Sequence, residues 1–343
     1  MVEYDELVQG WVRDRKIPGA VLDITAKEGF RYCKAYGDYD TGIGARQDFS
    51  VDTLFDLASL TKVIATLPAI LMLVAEKRLS LDDWVQKYIP AFRHSQISIR
   101  HLLNHTSGLP ADLPYQPRYM VNRQVIHEIC ELELVVERPG EYVLYSDLGL
   151  ILLGHIITII TRERLDHYMN RVLYTPLGMN DTMFRPDEFL RERTAPTEFV
   201  DGAYIHGKVH DEKSFHLGSI SGSAGLFSTA DNVARYARCW LYPDDQTNIP
   251  PILMQECLIN PKDNRGLGWE IWSGQGRVPS CGIHWSPGSF GHTGFTGTSV
   301  WIDPHRELIV VFLTNALYYG RGNSIRELRP LLHDSIYTSL YGV

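Results

Sequence analysis

Strand patterns lie at the two ends of this chain and helical patterns between them. Alternating and β-branched runs occupy Ala20–Ala26 and Phe30–Tyr36, around the turn Lys27-Glu28-Gly29. They return only past Gly266, at Leu267–Trp272, Gly282–Trp285, Thr298–Ile302 and Leu308–Thr314, with Asp303-Pro304-His305-Arg306 as the turn between the last two. Helical periodicity covers 3–16 (Leu7, Val8, Trp11 and Val12 on one side, stopped by Ile17-Pro18-Gly19), a short helix within Ile97–Pro110 ended by the Ser107-Gly108 turn and the proline, 123–136, 147–162, Arg164–Tyr174, Asp231–Leu241 and Ser324–Leu340. A sheet needs its strands side by side, so the ends must meet and the middle must be an insertion. The expected fold is α/β. An antiparallel sheet flanked by helices comes from residues 1–58 and 265–343, and a mostly helical lobe from 59–264.

Bulk properties narrow the function. At 343 residues and 44% hydrophobic the chain can bury a large core. A net charge of −8 with no basic block argues against nucleic acid or an anionic membrane surface as partner. Five scattered cysteines without a C-x-x-C suggest idle thiols rather than a disulfide framework or zinc site. The acidic N-terminus lacks an apolar signal core, which makes a cytoplasmic location the expectation. The apolar stretches Val63–Ala75 and Leu148–Ile160 fall short of the ~20 residues of a membrane span, and Pro68 and His155 interrupt them.

Three short stretches can carry chemistry. Ser59 stands where the helix through Ala75 should begin, and Lys62 follows one turn later on the same face. Free N–H groups and the positive end of the dipole surround such a serine, and a desolvated lysine beside it would make an activated nucleophile. An ordinary N-cap beside a solvated lysine has the same spelling. Tyr145-Ser146-Asp147 places a phenol and a carboxylate two residues apart on a loop, or is simply a half-buried loop tyrosine. Gly291-His292-Thr293-Gly294-Phe295-Thr296-Gly297 lies at the entrance to a strand, where glycines permit close backbone approach beside a cleft; the plain alternative is a tight turn with a surface histidine.

Together Ser59-Leu-Thr-Lys62, Tyr145-Ser-Asp147 and His292-Thr-Gly294 resemble the three motifs of the penicillin-binding and class C β-lactamase-like serine hydrolases, in that family's order. Leu102-Leu-Asn-His-Thr-Ser-Gly-Leu-Pro110, Pro176-Leu-Gly-Met179 and Ala224-Gly-Leu-Phe-Ser-Thr-Ala230 resemble its structural signatures, so the likeness runs from Pro18 to the last helix. It implies an active site between the two lobes and acyl transfer without a metal or cofactor. Ser59 would attack a carbonyl carbon, and Lys62 and Tyr145 would share the proton transfers. The N–H groups of Ser59 and Phe295 would form the oxyanion hole, a device worth roughly 3–4 kcal/mol per donor.

Two positions depart from the β-lactamase pattern. His292 replaces the usual lysine, and Asp147 the usual asparagine. The first resembles the D-aminopeptidase, amidase and esterase branches. The second, facing the site, would favour protonated Lys62, shift the base role toward Tyr145, and welcome an ammonium group on the substrate. Val209-His210-Asp211-Glu212 resembles a loop of the muramoyl-peptide amidase branch, with His210 as a substrate contact; His206, His210, Asp211 and His216 fit no standard zinc spacing. Thr293 and Gly294 complete the expected substrate edge. The favoured substrate is an amide or peptide, D-amino-acid or cell-wall-derived. The alternatives are short-chain carboxylesters, or a penicillin-recognising sensor with little turnover. Pocket walls are expected at Asp112–Tyr119 and Phe199–Leu217, and Tyr115, Tyr119, Tyr204 and Trp272 are candidates to line a cleft or a dimer contact, the oligomeric state staying open.

Overall fold

The computed structural model describes residues 2–40, 46–115, 124–243 and 247–342. Gly42, Gly44, Tyr119 and the first residue of the helix expected at 123 lie outside them. The chain opens with α1 (Glu3–Arg13), β1 (Gly19–Thr25), β2 (Arg31–Asp40), β3 (Arg46–Asp48) and β4 (Phe55–Asp56). The middle holds α2 (Leu67–Ala75), α3 (Ile99–Leu103), α4 (Val125–Glu131), α5 (Asp147–Thr161) and α6 (Leu165–Met169). Then come β5 (Met183–Phe184), β6 (Phe199–Val200), β7 (Ala203–Tyr204), α7 (Glu212–His216), β8 (Leu226–Ser228), α8 (Ala230–Leu241) and α9 (Pro251–Glu256). The last part is β9 (Glu270–Ile271), β10 (Phe290–Thr293), β11 (Ser299–Asp303), β12 (Leu308–Thr314) and α10 (Ile325–Tyr341).

Among the described residues one antiparallel sheet runs β3-β2-β1-β12-β11-β10-β9, so the two ends of the chain meet where Ala20 faces Thr314 and Ile24 faces Val310. The strand period of two divides the side chains between two cores. Val21, Val300, Ile302, Ile309, Val311 and Leu313 pack with α2 and α5. Ala20, Leu22, Ile24, Trp301, Val310 and Phe312 pack with α1 and α10.

The stretch 58–75 is one continuous helical path of three textures: a 3-10 turn Ala58–Leu60, a wide turn Lys62–Thr66, and α2. Pro68 explains the middle one. It has no N–H for the Ile64 carbonyl, and the Leu67 N–H reaches back to Lys62. The released carbonyls find other donors: Tyr236 Oη donates to Val63 O at 2.6 Å and Tyr174 Oη to Ile64 O at 3.3 Å. By length and composition this path could cross a membrane, with a mean hydropathy of 1.9, but 83% of it is buried inside the protein, where it serves as a core helix.

Several expected boundaries move. Helix 123–136 is observed as Val125–Glu131, with Leu132 already extended. Leu267–Trp272 shrinks to Glu270–Ile271, because Gly268 takes φ +78 and the Gly266 N–H turns back to Trp269 O. Gly282–Trp285 is no strand: Gly282 takes φ +86, and the Asp334 carboxylate accepts the N–H groups of Ile283 and His284. The 200–225 region holds the β6–β7 hairpin and, further on, the short helix α7. Trp272, expected at the surface, is buried, its indole N–H donating to Trp285 O at 3.0 Å. None of the five cysteines is in a disulfide, and only Cys33 is exposed.

Candidate active site

The approach to Ser59 is strained and braced. Ala58 sits at φ 47°, in the left-handed region an alanine disfavours. The Asp56 carboxylate holds it there, Oδ1 accepting the Ala58 N–H at 2.9 Å and Oδ2 the His210 N–H at 2.7 Å. One turn on, Lys62 Nζ donates to Ser59 Oγ at 2.9 Å and to Ser223 O at 2.9 Å, and meets Asp147 Oδ1 at 2.7 Å. Two hydrogen bonds and a carboxylate in ion-pair contact surround the nitrogen, so Lys62 sits there as an ammonium. Burial works against that charge, but Asp147 and Tyr145 outweigh it and hold the lysine above its ordinary range.

Asp147 is the first residue of α5, where the dipole favours a carboxylate, and Ser146 caps that helix by accepting the Leu148 N–H. Its two oxygens face two ammonium groups, Lys62 at 2.7 Å and Lys213 at 3.7 Å. Lys213 is buried and also binds Asp112 and Asp211, at 2.8 and 2.9 Å. Asp147 is therefore an internal counter-ion, and the expectation that it would welcome a substrate ammonium gives way to this charge network.

Tyr145 lies half-buried between cations and imidazoles. Lys62 Nζ and Arg265 Cζ each lie 5.3 Å from its ring centroid, His105 stacks on it at 4.3 Å, and His292 is 6.1 Å away. Both histidines are neutral: burial first, then Arg265 and Lys62, push each well below the ordinary range. Their tautomers follow from their partners. His105 Nδ1 accepts the Ser146 N–H at 3.1 Å, and His292 Nδ1 donates to Thr293 O at 2.9 Å. His292 Nε2 is then a buried acceptor, without a partner among the described residues. The residue expected to replace a lysine offers a lone pair, not a charge.

His292 and Thr293 end β10, paired with Val300 and Ser299 of β11. On the other side β9 reaches only Phe290 and Gly291, so the last two residues of β10 have no strand over them there. The motif expected at a strand entrance does lead into β11, and it also forms the end of β10 and the hairpin between the two. That turn is fastened to the serine loop: Thr296 Oγ1 donates to Asp56 O at 2.7 Å and Thr298 Oγ1 to Leu57 O at 3.1 Å. Gly294 must be glycine, since a Cβ there would lie 2.5 Å from Leu57 O. Arg329 of α10, buried, donates to Gly294 O, Thr298 O and Gly297 O at 2.6, 2.9 and 3.3 Å. Phe295, whose N–H was expected in the oxyanion hole, stands on this turn with its ring half-exposed.

His210 is buried beneath that ring, 5.8 Å from Phe295. Its Nε2 donates to Glu198 at 2.8 Å, while its backbone N–H donates to the Asp56 carboxylate and braces the serine loop. His206 bonds Thr194 O, and Asp211 caps α7. Periodicity gave no hint of Arg265, Lys213 or Arg329, which lie in turns or among surface-like charges. His105 lay inside a stretch quoted only as a structural signature.

The family model described as Beta-lactamase matches residues 4–333. The chain belongs to that family. It is 33% identical over 339 residues to an Escherichia coli K12 protein provisionally named D-alanyl-D-alanine carboxypeptidase, covering 87% of this chain and 78% of that one. Among solved structures, EstCE1, "a hydrolase with promiscuous acyltransferase activity", superposes with a TM-score of 0.77 at 22% identity, covering 97% of both chains. The octameric penicillin-binding protein homologue from Pyrococcus abyssi gives 0.73 at 22% identity, over 99% of this chain and 77% of that one. The chain is a serine hydrolase of β-lactamase-like fold.

Proposed function

We propose that the protein hydrolyses an amide or peptide, D-amino-acid or cell-wall-derived, through an acyl-enzyme on Ser59. The observation that carries this is the Lys62 ammonium, hydrogen-bonded to Ser59 Oγ at 2.9 Å and counterbalanced by Asp147. Because Lys62 is kept charged, its part is to hold Ser59 Oγ in place and stabilise the negative charge that develops at the site. Tyr145 then relays a proton: its Oη accepts the one leaving Ser59 as it gives its own to the leaving nitrogen, as an amide requires. The N–H groups of Ser59 and Phe295 take the carbonyl oxygen. The neutral His292 Nε2 can accept a hydrogen bond from a substrate N–H. Water admitted afterwards releases the acyl group. The names of the curated relatives support a peptide over an ester.

The test compares release of D-alanine from Nα-acetyl-D-alanyl-D-alanine with hydrolysis of p-nitrophenyl butyrate, using Ser59→Ala as the blank. Peptide turnover that vanishes in Ser59→Ala is expected. Turnover of the ester alone would make the protein an esterase, and activity surviving in Ser59→Ala would remove Ser59 from the mechanism.

A further inference from the structure

His105 occupies a backbone position that a glycine would fill without strain. It closes α3: Asn104 is the cap, the Thr106 N–H returns to His101 O at 2.9 Å, and His105 between them takes φ 59°. Glycine is the usual occupant of that place. Histidine tolerates the left-handed region better than most residues, but still at a cost. A large side chain, 1% exposed, is nevertheless kept there.

The contacts of His105 converge on Tyr145. The Leu144 N–H donates to His105 O at 2.8 Å, and the Ser146 N–H donates to His105 Nδ1 at 3.1 Å. The residues on either side of Tyr145 are thus pinned to one residue, whose ring also stacks on the phenol at 4.3 Å and 28°. An imidazole can accept the Ser146 N–H at Nδ1 only while that nitrogen is bare, so the brace needs the neutral form. Burial, then Arg265 and Lys62, keep it neutral.

We infer that His105 is the positioning residue for Tyr145, holding the phenol in place for the proton relay at Ser59. This rests on the acyl-enzyme reading above. His105 exchanges no proton itself; it fixes the backbone on both sides of Tyr145 and gives the ring a face to lie on.

The test is a double-mutant cycle with Tyr145→Phe on p-nitrophenyl butyrate, each variant checked by a thermal melt. His105→Asn suits the left-handed backbone and removes the ring. It should lower kcat by about tenfold or more, as a misplaced catalytic group does, with KM within about twofold. In the Tyr145→Phe background the same change should cost less than about twofold, because the group it positions is gone. His105→Phe keeps a ring and loses only the acceptor, so its loss should be smaller, and it carries the cycle if His105→Asn does not fold. On Nα-acetyl-D-alanyl-D-alanine the loss should exceed that on the ester, since nitrophenolate leaves without the proton that a leaving nitrogen needs. A loss of equal size with and without Tyr145, no loss in either variant, or failure of both variants to fold would each overturn the inference. Wild-type turnover of the ester but not of the peptide would remove the peptide reading, and the cycle on the ester would still decide for or against His105. A Tyr145→Phe enzyme as active as wild type would remove Tyr145 from the mechanism and the inference with it.

Discussion

A lysine at position 292 would stand near two cations, Arg265 and Lys62. The imidazole there is 2% exposed, and burial, Arg265 and Lys62 all favour its neutral form. His292→Lys would introduce a buried charge beside two cations, a change that typically costs about 3 kcal/mol or more. Urea unfolding should show a loss of that order, and labelling by a fluorescent penicillin should not rise. A stable variant that labels faster would mean that His292 alone keeps this site from β-lactams. At this scale the sequence was legible where spacing carries geometry. Ser59 and Lys62 are one turn apart, and Tyr145 and Asp147 flank the start of a helix, so reading them needed no tertiary information. Arg265 was not legible, because Lys-Asp-Asn-Arg-Gly spells a turn, and only the fold shows that the turn faces Tyr145.

Elements hold these residues in place through backbone carbonyls. Arg329 reaches from α10 to three carbonyls of the Gly294–Thr298 turn, and although burial pushes it down to about 9 it stays charged at neutral pH. It touches no reacting atom; it positions the turn that presents Phe295. Arg329→Lys keeps the charge but not the fork, so the turn should loosen. The expected outcome is a fall in kcat of about tenfold, the scale of a misplaced oxyanion donor, with KM within about twofold. Steady-state kinetics on the peptide, with a thermal melt as control, checks this. An equal fall through KM alone would assign Arg329 to binding. The helix α10 was legible from its periodicity, whereas Arg329 within Ile-Arg-Glu-Leu-Arg-Pro reads as a solvated charge. The strand expected at Gly282–Trp285 failed for a complementary reason: side-chain acceptors from Asp334 replaced the ladder there, and alternation cannot show that.

On the scale of the whole molecule, a chain whose ends form one sheet must tie its long middle segment back to them. The hydrogen bonds of the serine loop do this near the nucleophile, and a charge network does it at the rim. Glu198, from the middle segment, accepts from His210 at 2.8 Å and from Arg321, beyond β12, through Nε and Nη2, both at 2.9 Å. Arg321 also meets Glu212 at 3.1 Å. The bond from His210, and then Arg321, outweigh burial and bring the Glu198 carboxyl down from 4.5 to about 2. The folded state therefore binds this proton less readily than the unfolded chain. The resulting stabilisation is fully present above pH 4.5 and is lost as pH falls toward 2. Glu198→Gln removes this dependence. Melting temperatures of wild type and variant should differ most near neutral pH, and the gap should narrow steadily below pH 4.5 as the wild type loses what the variant never had. A gap of constant size down to pH 3 would mean that Glu198 acts by shape and hydrogen bonding alone. The charge linkage between the middle segment and the end of the sheet would then be absent.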